Sequence, residues 1–162
     1  MKYFLSILII GVSGFVGNLF ARRYVERDCF YKEMKSMLVY FKSNISFLQM
    51  KVAELFDNYM KEKADKNKKK LLRMKDVVLC RDEKRLEYKD FYFLKKEERE
   101  EIESFIKGLG LGSIDSELNK IDIFQKLVER KMEEVSDLRK KNEGLTYKLS
   151  LSIGVILCIL II

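Results

Sequence analysis

No charged residue occurs from Tyr3 to Ala21 or after Lys148, and these two uncharged ends bracket a middle dense in charge. The first run is nineteen residues long with only Ser6, Ser13 and Asn18 strongly polar. As a helix it measures about 28 Å, close to the roughly 30 Å of bilayer hydrocarbon. The second, Leu149 to Ile162, has fourteen residues and measures about 21 Å. To span it needs Leu145 to Lys148 with a snorkelling lysine, or local thinning of the bilayer. The expected organisation is therefore a transmembrane helix over 1–21, a cytoplasmic helical domain over 22–148, and a second transmembrane helix over 149–162. The fold class is all-α.

A cleaved signal peptide is the alternative for the first run. The run ends in Arg22-Arg23 and has no small-x-small cleavage site with a polar segment behind it, which favours a retained anchor. Ser13, Gly17 and Ala21 fall four residues apart, giving a small-residue face on which another membrane helix can pack closely. Orientation follows from the flanking cations. Arg22, Arg23 and Arg27 follow the first run, and Arg139, Lys140, Lys141 and Lys148 precede the second, whereas the outer flanks offer only Lys2. The positive-inside rule then puts the middle in the cytoplasm, where Cys29 and Cys80 stay reduced. Cys158 lies in the apolar tail as a small hydrophobe.

The 162 residues suffice for one core plus anchors. There is no proline, where average usage near 5% gives roughly eight, and long uninterrupted helices explain its absence. All 25 acids, and all of the 32 Lys and Arg but Lys2, lie between Arg22 and Lys148. The net charge of +7 is thus a bias within a mixed-sign surface, more diffuse than a nucleic-acid binder concentrates. Without histidine, and with three cysteines at no metal-ligand spacing, the chain offers no zinc site and no histidine acid/base chemistry. No cofactor, metal or catalytic residue is expected, and an enzyme is not supported.

Within the middle, Phe30, Met34, Met37, Leu38, Phe41, Ile45 and Leu48 recur at helical spacing from Tyr24 to about Met50. Val52 to about Lys63 reads as a second helix after a weak break at 46–51. Ala64 to Lys70 (ADKNKKK) reads as a linker; such a lysine run can bind acidic lipid or nucleic acid, though a solvated loop is the commoner case. Leu71 to Leu79 reads as a short third helix. Arg81 to Leu94 carries Phe91, Tyr92 and Phe93 without any partner strand, and reads as a connection whose aromatics fill the core. Lys95 to Lys107 is a helix with acids in its first turns, as the helix dipole favours.

The cluster Gly108-Leu109-Gly110-Leu111-Gly112 follows. It lacks the preceding strand of a dinucleotide fingerprint and the Gly-Lys-Ser/Thr of a phosphate loop. It reads instead as a helix stop through a left-handed glycine, with Ser113 or Asp115 capping the next helix. Glu97/Glu98 and Glu133/Glu134 read as solvated surface. From Ser113 to Lys148 one charged helix carries an apolar stripe of Leu118, Ile121, Phe124, Val128, Met132, Val135 and Leu138. Gly144, just before the apolar end, is a candidate hinge onto the bilayer.

These residues carry a resemblance. Arg23-Tyr24-Val25-Glu26-Arg27 followed by Met34-Lys35-x-x-Leu38 is similar to the opening of the stage III sporulation protein AB family. Phe105, Lys107, Leu109, Gly110 and Asp115 match its Phe-x-Lys-x-Leu-Gly stretch and acidic helix start, with Asn119 where the family often has glutamine. Lys141, Asn142, Glu143 and Tyr147 leading into an apolar end with Gly154 resemble its close. The family's proline near 50–54 has no counterpart here. The resemblance implies a non-enzymatic subunit in the mother-cell membrane, within the channel complex that links mother cell and forespore. It also implies a cytoplasmic domain similar to secretion platform proteins, with a companion secretion-type ATPase and other membrane subunits as partners. It leaves homo-oligomerisation open. The alternative is a membrane-tethered coiled-coil scaffold, suggested by the roughly three heptads from Leu118 to Leu138.

Overall fold

The computed structural model describes the backbone of residues 2–48, 51–61 and 65–161, and their side chains except those of 2–10, 20, 46–48, 65–67, 143, 146, 147, 157, 158, 160 and 161. Among the described residues five helices follow in order: α1 (Lys2–Leu48), α2 (Val52–Lys61), α3 (Asp65–Leu79), α4 (Lys96–Gly108) and α5 (Ile114–Ile161). No strand occurs among the described residues. The all-α expectation holds, and α1 and α5, with 47 and 48 residues, are the long helices that a proline-free chain permits. The break after α1 falls where the sequence weakens. Lys51 C=O accepts the N–H groups of Glu54 and Leu55 and so starts α2.

The chain divides into two compact units, one of Lys32–Arg130 and the other of Met1–Tyr31 with Lys131–Ile162. In the Lys32–Arg130 unit the inward face of α1 supplies Met34, Met37, Leu38, Phe41 and Ile45, all buried. Phe41 meets Phe56 of α2 edge to face at 4.9 Å between ring centres. Tyr59 keeps its ring in the core and donates its hydroxyl to Glu33 Oε1 at 2.7 Å. A buried aromatic needs this when its polar end would otherwise go unmet. α3 adds Leu71, Met74, Val77 and Val78, and joins α2 through Lys75 to Asp57 at 2.6 Å. Phe105 of α4 stacks flat on Phe124 of α5 at 3.8 Å.

The connection between α3 and α4 is irregular, and Leu86, Phe91, Phe93 and Leu94 are buried from it, as expected. Its backbone is satisfied by turns, with Leu94 N–H donating to Phe91 C=O at 3.0 Å, and by Glu103, whose Oε2 accepts Leu86 N–H at 3.0 Å. Chain that cannot form a ladder must find such local partners.

Two expectations need correction. The lysine run is not a linker: α3 begins at Asp65 and carries Lys68–Lys70 within it. Lysine is a good helix former, and these side chains are engaged. Lys69 pairs with the nearly buried Asp90 at 2.9 Å, and Lys70 sits over the Phe93 ring at 4.2 Å. Arg73 reaches the same Asp90 at 3.1 Å. The hydrogen bond from Lys69 does most to hold the Asp90 carboxyl below its ordinary range. Glu98 is also not surface. It is buried, and its Oε2 accepts the N–H of Lys95 just before α4 at 3.0 Å, because an acid at the third position of a helix can reach back to an otherwise unmet donor.

α1 and α5 run antiparallel within the Lys32–Arg130 unit. Lys35 pairs with Glu129 at 3.0 Å and Lys42 with Asp122 at 2.5 Å, so a step of two helical turns forward on one is two turns back on the other. Val128 of the α5 stripe, between these pairs, and Ile121, just before Asp122, are fully buried. In the other unit Arg139 of α5 pairs with Asp28 of α1 at 2.7 Å, and Asp28 and Arg27 are buried. The sequence offered Arg27 and Arg139 as topology-setting flank charges; the fold also uses Arg139 in this pair. No helix is long and apolar enough, among the described residues, to cross a membrane. The two expected spans, 1–21 and 149–162, lie partly outside those residues.

Candidate functional site

The most elaborately held feature of the Lys32–Arg130 unit is the turn between α4 and α5. α4 ends at Gly108, and Leu109, extended and fully buried, donates its N–H to Ile106 C=O at 3.2 Å. Gly110 follows with φ +75, a left-handed conformation that other residues resist. A Cβ there would also meet Val52 Cγ2 at 3.0 Å. Ser113 starts α5: its C=O accepts Glu117 N–H at 2.9 Å. The Ser113 start is as the sequence predicts; the helix stop differs, because the extended Leu109 ends α4 and the left-handed Gly110 comes after it, giving its N–H to Glu117.

Glu117 locks this turn. It is buried, and its two carboxylate oxygens are shared out. Oε2 accepts Gly110 N–H at 2.8 Å, while Oε1 accepts Gly112 N–H at 2.9 Å and Lys120 Nζ at 2.8 Å. Lys120 also donates to Gly108 C=O at 3.0 Å. Arg81, from the connection after α3, donates to Leu109 C=O at 2.6 Å and Val78 C=O at 3.1 Å. Burial pushes the Glu117 carboxyl up, but the donors Lys120, Gly110 and Gly112 outweigh it and hold the group below the ordinary glutamate range. Two glycine N–H groups converging on a carboxylate form the kind of anion cradle a phosphate loop uses. Here the chain's own Glu117 occupies it. Leu111, between the two anchored glycines, is held out and 68% exposed.

Two grooves flank the turn, of about 620 and 610 Å³. The first lies among the ends of α1, α3 and the turn. It is walled by Val52, Val78, Leu79 and Ile114, and its cations are Lys51 and Arg81. Its one carboxylate among the described residues is the saturated Glu117. The second lies between α4 and α5, walled by Phe105, Ile123, Phe124 and Leu127 with Glu100 and Glu101 at its edge. They adjoin across the Glu117–Lys120 ion pair.

The residues singled out from the sequence lie elsewhere, in the Met1–Tyr31/Lys131–Ile162 unit. Ser13 and Ser150 each donate a hydroxyl to the other's C=O, bringing α1 and α5 together there. Gly17 is buried, as is Gly154 of α5, and Ala21 is half-buried. α5 runs through Gly144 without interruption, and a Cβ there would meet nothing within 4 Å. Glu117, Glu98 and Asp28 escaped the sequence reading. Glu117 stands four residues after Ser113 in a first turn where acids are ordinary; only the pairing of that acid with a preceding Gly-x-Gly could have flagged it. No group of three or more Cys, Asp or Glu among the described residues is arranged to hold a metal.

Comparison with curated proteins and with solved structures gives no match. Residues 2–162, nearly the whole chain, match the family model described as Stage III sporulation protein AB. The chain therefore belongs to the stage III sporulation protein AB family.

Proposed function

We propose that this chain is a non-enzymatic membrane platform subunit of the sporulation channel complex between mother cell and forespore. The uncharged ends anchor it in the mother-cell membrane, and the residues between them face the cytoplasm. They take up work from a companion secretion-type ATPase and pass it to other membrane subunits through differential contacts. The observation that carries this reading over a tethered coiled coil is the use made of the α5 stripe. Ile121 and Val128 are buried in the chain's own unit, each next to a member of the intramolecular pairs Lys42–Asp122 and Lys35–Glu129. A stripe spent on folding is not available to zip a parallel oligomer. Family membership supports the sporulation setting. Co-reconstitution of the full chain and the companion ATPase in one membrane tests the reading: the ATPase is expected to be retained on the membrane with the chain, and failure to associate counts against coupling.

A further inference from the structure

Beyond the coupling role, and independent of it, the two grooves beside the α4–α5 turn are complementary to each other. The first presents exposed aliphatic side chains, Leu79 at 59% and Ile114 at 39%, beside Lys51, which makes no ion pair among the described residues. The second presents Ile123, 63% exposed, beside Glu100 and Glu101. Glu100 has only a 3.9 Å pairing with Lys96, and Glu101 has none among the described residues. One groove is thus apolar with a basic edge, and the other apolar with an acidic edge.

We propose that a second copy of this chain docks here, the basic groove of each facing the acidic groove of the other. Because the grooves adjoin across the Glu117–Lys120 pair, one two-fold contact engages both at once, as a self-complementary patch requires. The aliphatic side chains supply the association, since burial from water is what they gain. Lys51 against Glu100 and Glu101 fixes the register, since complementary charge contributes more to specificity than to affinity. The turn suits this use because Glu117, Lys120 and Arg81 hold its backbone in place before any partner arrives, which lowers the ordering cost of docking.

The test is sedimentation of the full chain in detergent micelles over a range of protein concentrations and salt. A monomer–dimer equilibrium that weakens with salt is expected. Ile123→Ser and Leu79→Ser, both at exposed positions, should each weaken it about tenfold or more, consistent with losing a buried aliphatic contact. Lys51→Glu alone, and Glu100→Lys with Glu101→Lys, should each weaken it severalfold. An equimolar mixture of these two charge-reversed proteins should dimerise again, and that rescue also shows that both remain folded. A chain that stays monomeric throughout overturns the proposal. So does a dimer that ignores all these substitutions, which would place association in the uncharged ends, and so does a charge-reversed mixture without rescue. Loss of the dimer leaves ATPase retention to stand or fall by its own assay.

Discussion

Glu117 does at the residue scale what a loop of three glycines cannot do alone: it fixes a flexible backbone by giving Gly110 and Gly112 one shared acceptor group. Glu117→Gln keeps the shape but replaces one oxygen with a donor facing a glycine N–H. The expected loss is about 1–3 kcal/mol, the cost of leaving a buried donor unmet, read by urea denaturation of the full chain followed by helicity. The same group gives a pH dependence. Its folded carboxyl titrates below the ordinary 4.5, so its contribution is complete above that value and fades as pH falls through the folded one. Stability should drop with acid below about pH 4.5, and less steeply in Glu117→Gln. Some slope should remain, because the Glu103 carboxyl is also held low: burial raises it, but Lys107 and the Leu86 N–H outweigh that. Gly110→Ala should cost about 1–2 kcal/mol from the left-handed backbone alone, plus the displacement of Val52, whose Cγ2 a Cβ would meet at 3.0 Å.

At the element scale, α1 and α5 were legible from hydrophobic spacing and the missing proline, and the heptad-like stripe of α5 was legible too. What the stripe packs against was not, since the same spacing serves an intramolecular antiparallel pair or an intermolecular parallel one. The start of α3 was misread for a related reason. Asp65-Lys66-Asn67-Lys68 has no large apolar group to mark a core face, and the helix there is supported by Asp90 and Phe93, which lie some twenty residues further along. Gly144 belongs to this scale as well. It sits inside unbroken helix with open space around its Cα, so Gly144→Ala should stabilise α5 by about 0.5–1 kcal/mol. We propose that Gly144 still serves as a hinge onto the bilayer. In that case the substitution should stiffen the helix and reduce sporulation while the measured stability rises; unchanged sporulation removes the hinge.

For the whole molecule the proposed function places the charged middle on the cytoplasmic side of a membrane, and that placement can be tested directly. Cys29 is exposed and Cys80 half-buried, so both serve as reporters. In intact cells a membrane-impermeant maleimide should leave Cys29 unlabelled, and permeabilisation should make it react. Labelling from outside reverses the topology drawn from the flanking Arg and Lys. The organisation by compactness also differs in kind from a division by hydropathy. The unit that contains the expected anchors runs inward to Tyr31 and back from Lys131, well into charged sequence, because the Arg139–Asp28 pair joins α1 and α5 there.

The order and type of the helices, the break near residue 50, the aromatic connection and the start of α5 at Ser113 were all determined by the sequence, because each rests on interactions between residues close along the chain: spacing on one helix face, a missing proline, a capping serine. The tertiary structure alone decided which polar groups are structural. Glu98, Asp28, Asp90 and Glu117 look like ordinary surface acids by composition. Asp28 and Asp90 take their roles from cations that folding brings to them, Arg139 for the one and Lys69 with Arg73 for the other; Glu98 and Glu117 meet N–H groups three to seven residues away, and burial in low dielectric makes those donors matter. The facing of α1 by α5, with about eighty residues between Lys42 and its partner Asp122, is likewise a choice that no local pattern encodes.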